Sequence, residues 1–168
     1  MDILFSTDRI AERIAAMGNE ITEFYRDRPL TVIALMNGGI CFAADLSRAI
    51  ALPIWLDSIG VASYANRTST GSLDFRSTLK LDPKGREILL LDEVLDTGTT
   101  LKHVSEKLRA LGASGVRTAV MVEKEIPRPN GLAHADWAGF LCPQRYLVGY
   151  GLDADERYRN LPYIAAID

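Results

Sequence analysis

The chain has 168 residues, 48% hydrophobic and 24% charged, which suits one soluble domain with a real core. Its formal charge of −3 disfavours non-specific attraction to nucleic acid phosphates, so nucleic acid is not an expected partner. No apolar run approaches the roughly 18 residues of a membrane span, and the opening MDILFSTDRI lacks a basic stretch leading into an apolar one, so neither a span nor a signal peptide is expected. The two cysteines, Cys41 and Cys142, form no CxxC and no metal-ligand spacing. That pattern fits a reducing compartment, and a cytoplasmic protein is the expectation.

In chain order, Ser6 or Thr7 is placed to cap a first helix, and Ile10, Ile14, Met17, Ile21 and Phe24 recur along one face of it. Arg28-Pro29 ends that helix. LTVIALM (Leu30–Met36) reads as a buried strand, Asn37-Gly38-Gly39 as a tight turn, and ICFAADLSRAIAL as a second helix. A strand over PIWLDSIGVAS follows. The polar stretch Ser63–Thr78 has no period, and a loop of that length in a compact domain is usually functional or disordered. REILLLD is the next strand, and Leu101, Val104, Leu108 and Leu111 stripe the helix after it, with Gly112 as C-cap. VRTAVMV, ADWAGFLC and YLVGYG are further strand candidates. The alternation of strands and helices predicts an α/β fold with a mostly parallel central sheet, residues 1–168 forming one domain.

In such sheets ligands bind beyond the carboxyl ends of the strands. EILLLDEVLDTGTTLKHV (Glu87–Val104) places the acids Asp92 and Glu93 at such an end, then Asp96, Thr97, Gly98, Thr99 and Thr100 before a helix. Free N–H groups and the helix dipole there suit a phosphate. Adjacent carboxylates suit a pair of vicinal hydroxyls. Together they describe a ribose-5-phosphate site. An isolated Asp-Thr-Gly is more often only a turn with an N-cap; the whole run is more specific.

This run resembles the phosphoribosyl-diphosphate motif of the type I phosphoribosyltransferases. Ser63-Tyr64 at the head of the polar loop and VGYGLDADERYRNLPYIAAI (Val148–Ile167) resemble the hypoxanthine-guanine branch, in one order over nearly the whole chain. The resemblance implies a parallel sheet flanked by helices with a small hood. It implies purine salvage: ribose-5-phosphate passes from phosphoribosyl diphosphate to hypoxanthine or guanine, giving IMP or GMP and pyrophosphate. It implies that Asp92 and Glu93 hold the ribose hydroxyls and that Asp96 to Thr100 hold the 5-phosphate. Asp96 is also the acid/base near the purine N7, beside the alternative that it only caps the helix. By the same resemblance Lys124 would donate to the 6-oxo group, Trp137 would stack on the purine, and Ala138 would read the base edge. Lys124 as an ordinary surface lysine and Trp137 as a core residue stand as the alternatives.

The resemblance further implies that Met36, Asn37 and Gly38 form the pyrophosphate turn and that Ser63 and Tyr64 arrive as catalytic residues by loop closure. Mg2+ is the implied cofactor, on Asp92, Glu93 and, weakly, Gln144. A homodimer or homotetramer is implied. The sequence departs from the family pattern at Asn37, where a basic residue is common, at Thr99, in the order Asp-Glu of the acidic pair, and at Gln144, where an Asp is typical. Two rival readings remain open: a nucleotide-binding or regulatory protein on the same fold, and a transferase for xanthine.

Overall fold

The structure is a computed structural model that describes residues 1–62, 74–75 and 79–168. Ser63 and Tyr64 lie outside the described residues. Twelve elements follow in order: β1 (Asp2–Phe5), α1 (Thr7–Phe24), β2 (Leu30–Met36), α2 (Ile40–Ala49), β3 (Ile54–Ala62), β4 (Asp74–Phe75), β5 (Glu87–Leu95), α3 (Thr99–Ala110), β6 (Gly115–Lys124), β7 (Trp137–Cys142), β8 (Leu147–Val148) and β9 (Ile164–Ala166).

The main sheet has the order β4-β3-β2-β5-β6-β7. The five strands β3, β2, β5, β6 and β7 run parallel, and the two-residue β4 is antiparallel to β3. Period-two alternation splits the apolar run of β5 between two cores. Leu89 and Leu91 face α1 and α2, whereas Ile88 and Leu90 face α3. β2 divides the same way, with Val32 and Ala34 on one side and Ile33 and Leu35 on the other. The Ser6 side chain caps α1 by accepting from the Arg9 amide at 3.4 Å. Ile10, Ile14, Met17 and Ile21 are buried as their spacing predicts, but Phe24 is 38% exposed.

β5 runs three residues past Asp92, to Leu95, so the acidic pair lies inside the strand rather than ending it. Val94 and Leu95 keep the chain extended against β6, in register with Val122 and Glu123. On its other side β5 pairs with β2 only as far as Ala34↔Leu91. Beyond Leu91 the two strands part, with α2 on one face of the sheet and α3 on the other. That divergence opens a crevice at the carboxyl ends.

The small antiparallel sheet β1-β9-β8 forms the hood. The strand expected over YLVGYG stops at Val148, because Gly149, Tyr150 and Gly151 all adopt positive φ, 94°, 53° and 99°. No helix among the described residues is long and apolar enough to cross a membrane.

Candidate active site

Where β2 and β5 part, a cleft of about 420 Å³ is lined by Met36, Asn37 and Gly38, by Asp92 and Glu93, and by Asp153, Glu156 and Arg159 from the segment after β8. The Met36–Asn37 peptide is cis. Gly38 lies close against the Glu93 carboxylate: a Cβ there would sit 2.1 Å from Oε1 and would displace that side chain. Gly151 packs as closely on the other side, where a Cβ would lie 2.0 Å from the Gly38 carbonyl oxygen. The hood segment is thereby locked onto the turn after β2.

Asp92 Oδ1 accepts from the Glu93 amide at 2.9 Å. Burial, and then the neighbouring Glu93 carboxylate, push the Asp92 carboxyl well above the usual carboxylate range. No described ion pair joins either acid to a lysine or arginine. Arg159 is the one cation among the described residues lining the cleft, and it is already engaged. Its Nη1 lies 3.0 Å from Asp153 and donates to the Gly151 carbonyl at 2.7 Å, and its Nη2 lies 3.0 Å from Glu156. Four carboxylates against one guanidinium leave the cleft negative. An anionic diphosphate needs a cation to enter it, and hard carboxylate oxygens fit Mg2+. Among the described residues no three potential ligands converge to hold an ion by themselves, so the ion's remaining ligands would be substrate oxygens and water.

Beside the acids, Asp96 to Thr100 turn into α3. Gly98, at φ 76°, precedes the helix, and a Cβ there would meet Leu132 backbone atoms at 2.6 Å. Leu132 N–H in turn donates to the Gly98 carbonyl at 3.0 Å. Thr97 Oγ1 stands 3.3 Å from Thr99 Oγ1. These hydroxyls and the first-turn amides, of which the Thr99 N–H donates to Thr97 Oγ1 at 3.5 Å, are donors of the kind a phosphate takes at a helix start. Lys124, at the end of β6, reaches across so that its Nζ lies 2.8 Å from Asp96 Oδ2. Two residues that the sequence assigns to the purine thus meet beside this turn.

Three assignments do not survive the geometry. Trp137 begins β7, opposite Ala119. It stands five residues, or roughly 16 Å of strand, short of the level of Lys124. It packs edge-on against Phe24, with ring centroids 5.3 Å apart. Its large apolar surface is taken up by the core at the amino end of the sheet. Ala138, the second residue of β7, pairs with Val120 four residues short of the level of Lys124, and its carbonyl accepts from Arg13 Nη2 of α1 at 3.0 Å, away from the cleft. Gln144 is exposed in the turn after β7 and does not line the cleft, which has Asp153 instead.

The sequence reading missed Asp153, Glu156, Arg159 and Arg128. The signal for the first three was Gly149-Tyr150-Gly151 at a strand end, followed by acids and arginines. Asp155, Glu156 and Tyr158 hold positive φ there, the kind of backbone strain that collects at functional sites. Arg128 gave no signal, because its carbonyl partners come from three separate segments. His134, in the loop between β6 and β7, contacts the buried Glu123 through Nδ1 at 2.6 Å.

Residues 2–155 match the phosphoribosyl transferase domain family. The hypoxanthine-guanine phosphoribosyltransferase of Mycobacterium avium is 37% identical, over 99% of this chain and 85% of that protein. The bifunctional protein TilS/HprT of Listeria innocua is 34% identical over 98% of this chain, which spans only 26% of it. A hypoxanthine phosphoribosyltransferase structure from Staphylococcus aureus superposes with a TM-score of 0.93 at 29% identity, covering 100% of this chain and 91% of that one.

Proposed function

The chain belongs to the phosphoribosyl transferase domain family, in its hypoxanthine-guanine branch, and from that premise we propose that it transfers ribose-5-phosphate from phosphoribosyl diphosphate to hypoxanthine and guanine. The products are IMP or GMP and pyrophosphate, the chemistry of purine salvage. The observation that carries the reading is the Lys124–Asp96 contact of 2.8 Å beside the turn Asp96–Thr100. O6 and N7 lie on one edge of a 6-oxopurine. An ammonium has only donors and suits O6, and a carboxylate has only acceptors and suits a protonated N7. A base entering at this edge takes one partner from each residue. Adenine, with a donor in place of O6, faces Lys124 unfavourably.

The other residues divide the remaining work. Thr97, Gly98, Thr99 and Thr100 hold the 5-phosphate, and Asp92 and Glu93 accept from the ribose hydroxyls. Gly38 and Arg159 face the diphosphate. Asp96 manages the N7 proton as the ring is ribosylated at N9, and Ser63 and Tyr64 remain candidates for covering the reacting centre. Mg2+, when bound, neutralises the diphosphate and steadies it as a leaving group; Asp92, Glu93 and Asp153 are the residues to hold it. The stacking role falls to Tyr146, a 52% exposed aromatic that follows the carboxyl end of β7. Two unpaired cysteines accord with a cytoplasmic setting.

Pyrophosphate release with phosphoribosyl diphosphate, Mg2+ and each of hypoxanthine, guanine, xanthine, adenine and uracil tests the reading. Turnover is expected with hypoxanthine and guanine. Tight GMP binding without turnover of any base would replace it with a nucleotide-binding regulator.

A further inference from the structure

Arg128 lies in the loop between β6 and β7, outside every assigned role, yet its side chain is only 3% exposed. Its guanidinium donates to four backbone carbonyls. Nε reaches the Asp96 oxygen at 2.6 Å, Nη1 reaches Ala133 at 2.9 Å, and Nη2 reaches Leu95 at 3.2 Å and also Lys124. A buried cation needs a counter-charge, and Glu123, 6% exposed, stands 3.7 Å from Nη1. Glu123 is held in turn by the Ala135 amide at 3.1 Å and by His134. A planar fork of five donors can serve four carbonyls at once, one more than the three donors of an ammonium allow.

Two of those carbonyls belong to Asp96 and Lys124, the residues whose side chains meet at 2.8 Å. Asp96 follows β5 and Lys124 ends β6; Lys124 is still in register with Cys142 of β7, but the pairing of β5 with β6 stops at Leu95↔Glu123, so no ladder bond ties the two residues to each other. We infer that Arg128 is a positioning residue that clamps the Asp96 and Lys124 backbones together, setting the spacing of the two side chains and thereby the preference for a 6-oxopurine over a 6-aminopurine. The inference rests on the purine assignment above. Arg128 touches no substrate. It acts through the two residues that do.

Arg128→Lys keeps the charge and removes the fork. The expected result is a KM for hypoxanthine about tenfold or more above wild type, with the KM for phosphoribosyl diphosphate within about twofold and the hypoxanthine-over-adenine preference reduced. An equal loss for both substrates with unchanged base preference would mark Arg128 as merely structural and overturn the inference. Glu123→Gln leaves the fork in place and loosens its anchor. It should give the same asymmetry at several-fold size, and it decides the matter if Arg128→Lys fails to fold; a flat response overturns the proposal. A crystal structure of Arg128→Lys without ligand separates this proposal from the assigned activity. The Lys124–Asp96 contact is expected to be lost there whether or not the wild-type protein turns over any base. Its retention at the wild-type distance counts against the clamp.

Discussion

The two ends of the central sheet are built from the same strands and do opposite things. At the amino ends, Trp137, Phe24 and Tyr25 close over one another, and Arg28 and Arg117 lie 4.8 Å and 4.5 Å from the Phe24 ring centre. Tyr25 is wholly buried, and burial pushes its hydroxyl up. At the carboxyl ends the side chains are acids and glycines, strand pairing stops at unequal lengths, and carbonyls are gathered by one arginine. One end packs rings against rings and guanidinium groups, although the buried Tyr25 hydroxyl there has no hydrogen-bond partner among the described residues. The other presents paired acids, the amides of a helix start and an ammonium–carboxylate pair, polar groups that a ligand can engage.

The largest test of that contrast is Asp96→Asn. It should lower kcat with hypoxanthine by roughly 10²–10⁴-fold, as loss of a positioned acid/base does, while the melting temperature barely moves. Gly151→Ala comes next. A Cβ at φ 99°, 2.0 Å from the Gly38 oxygen, forces the hood segment off the turn. The KM for phosphoribosyl diphosphate should rise at least tenfold, more than the KM for hypoxanthine, as initial rates with either substrate varied would show. Paired aromatic substitutions contrast the ends directly. Tyr146→Ala should raise the KM for hypoxanthine by about 5–150-fold, the worth of a stacked base. Trp137→Ala should leave that KM alone and instead destabilise the fold by about 2–4 kcal/mol in urea titration. An effect of Trp137→Ala on base affinity alone would erase the distinction.

The smallest effect concerns pH. The folded protein holds the Asp92 proton to higher pH than the unfolded chain does. It therefore binds more protons between the ordinary carboxylate value and the raised one, and stability falls as pH rises through that window. Asp92→Asn removes the penalty. Its melting temperature should exceed that of wild type at pH 7–8, by ~2–4 °C per kcal/mol relieved, and the gap should vanish in acid.

Local patterns carried through from sequence to structure where one segment held all the information. β2 has the bounds its apolar run marks, Leu30–Met36, and Ser6 caps α1. The turn Asp96–Thr100 into α3 was legible because five successive residues build it. What was not legible depends on contacts between distant segments. β1 is four residues long and is a strand only because β9 pairs with it. Asp153 and Arg159 reach the cleft only through the packing of Gly151 on Gly38. Trp137 looked like a base-stacking residue because sequence shows its type and not which end of its strand it occupies. The end of β5 was misplaced for a related reason: charge at Asp92 and Glu93 suggested a turn, whereas β6 holds the strand to Leu95.

The two termini of the chain lie side by side in the hood, with Asp2 paired to Ala166. That ladder closes the longest loop in the molecule, so its entropic cost is met late in folding, after the nearer pairings of β2, β3 and β5. The hood also carries the segment that supplies one wall of the cleft. Loop closure alone then predicts that the hood, and with it this wall of the cleft, opens before the central strands do. Amides of β8 and β9 should exchange with deuterium through openings smaller than global unfolding, while β2 and β5 stay protected.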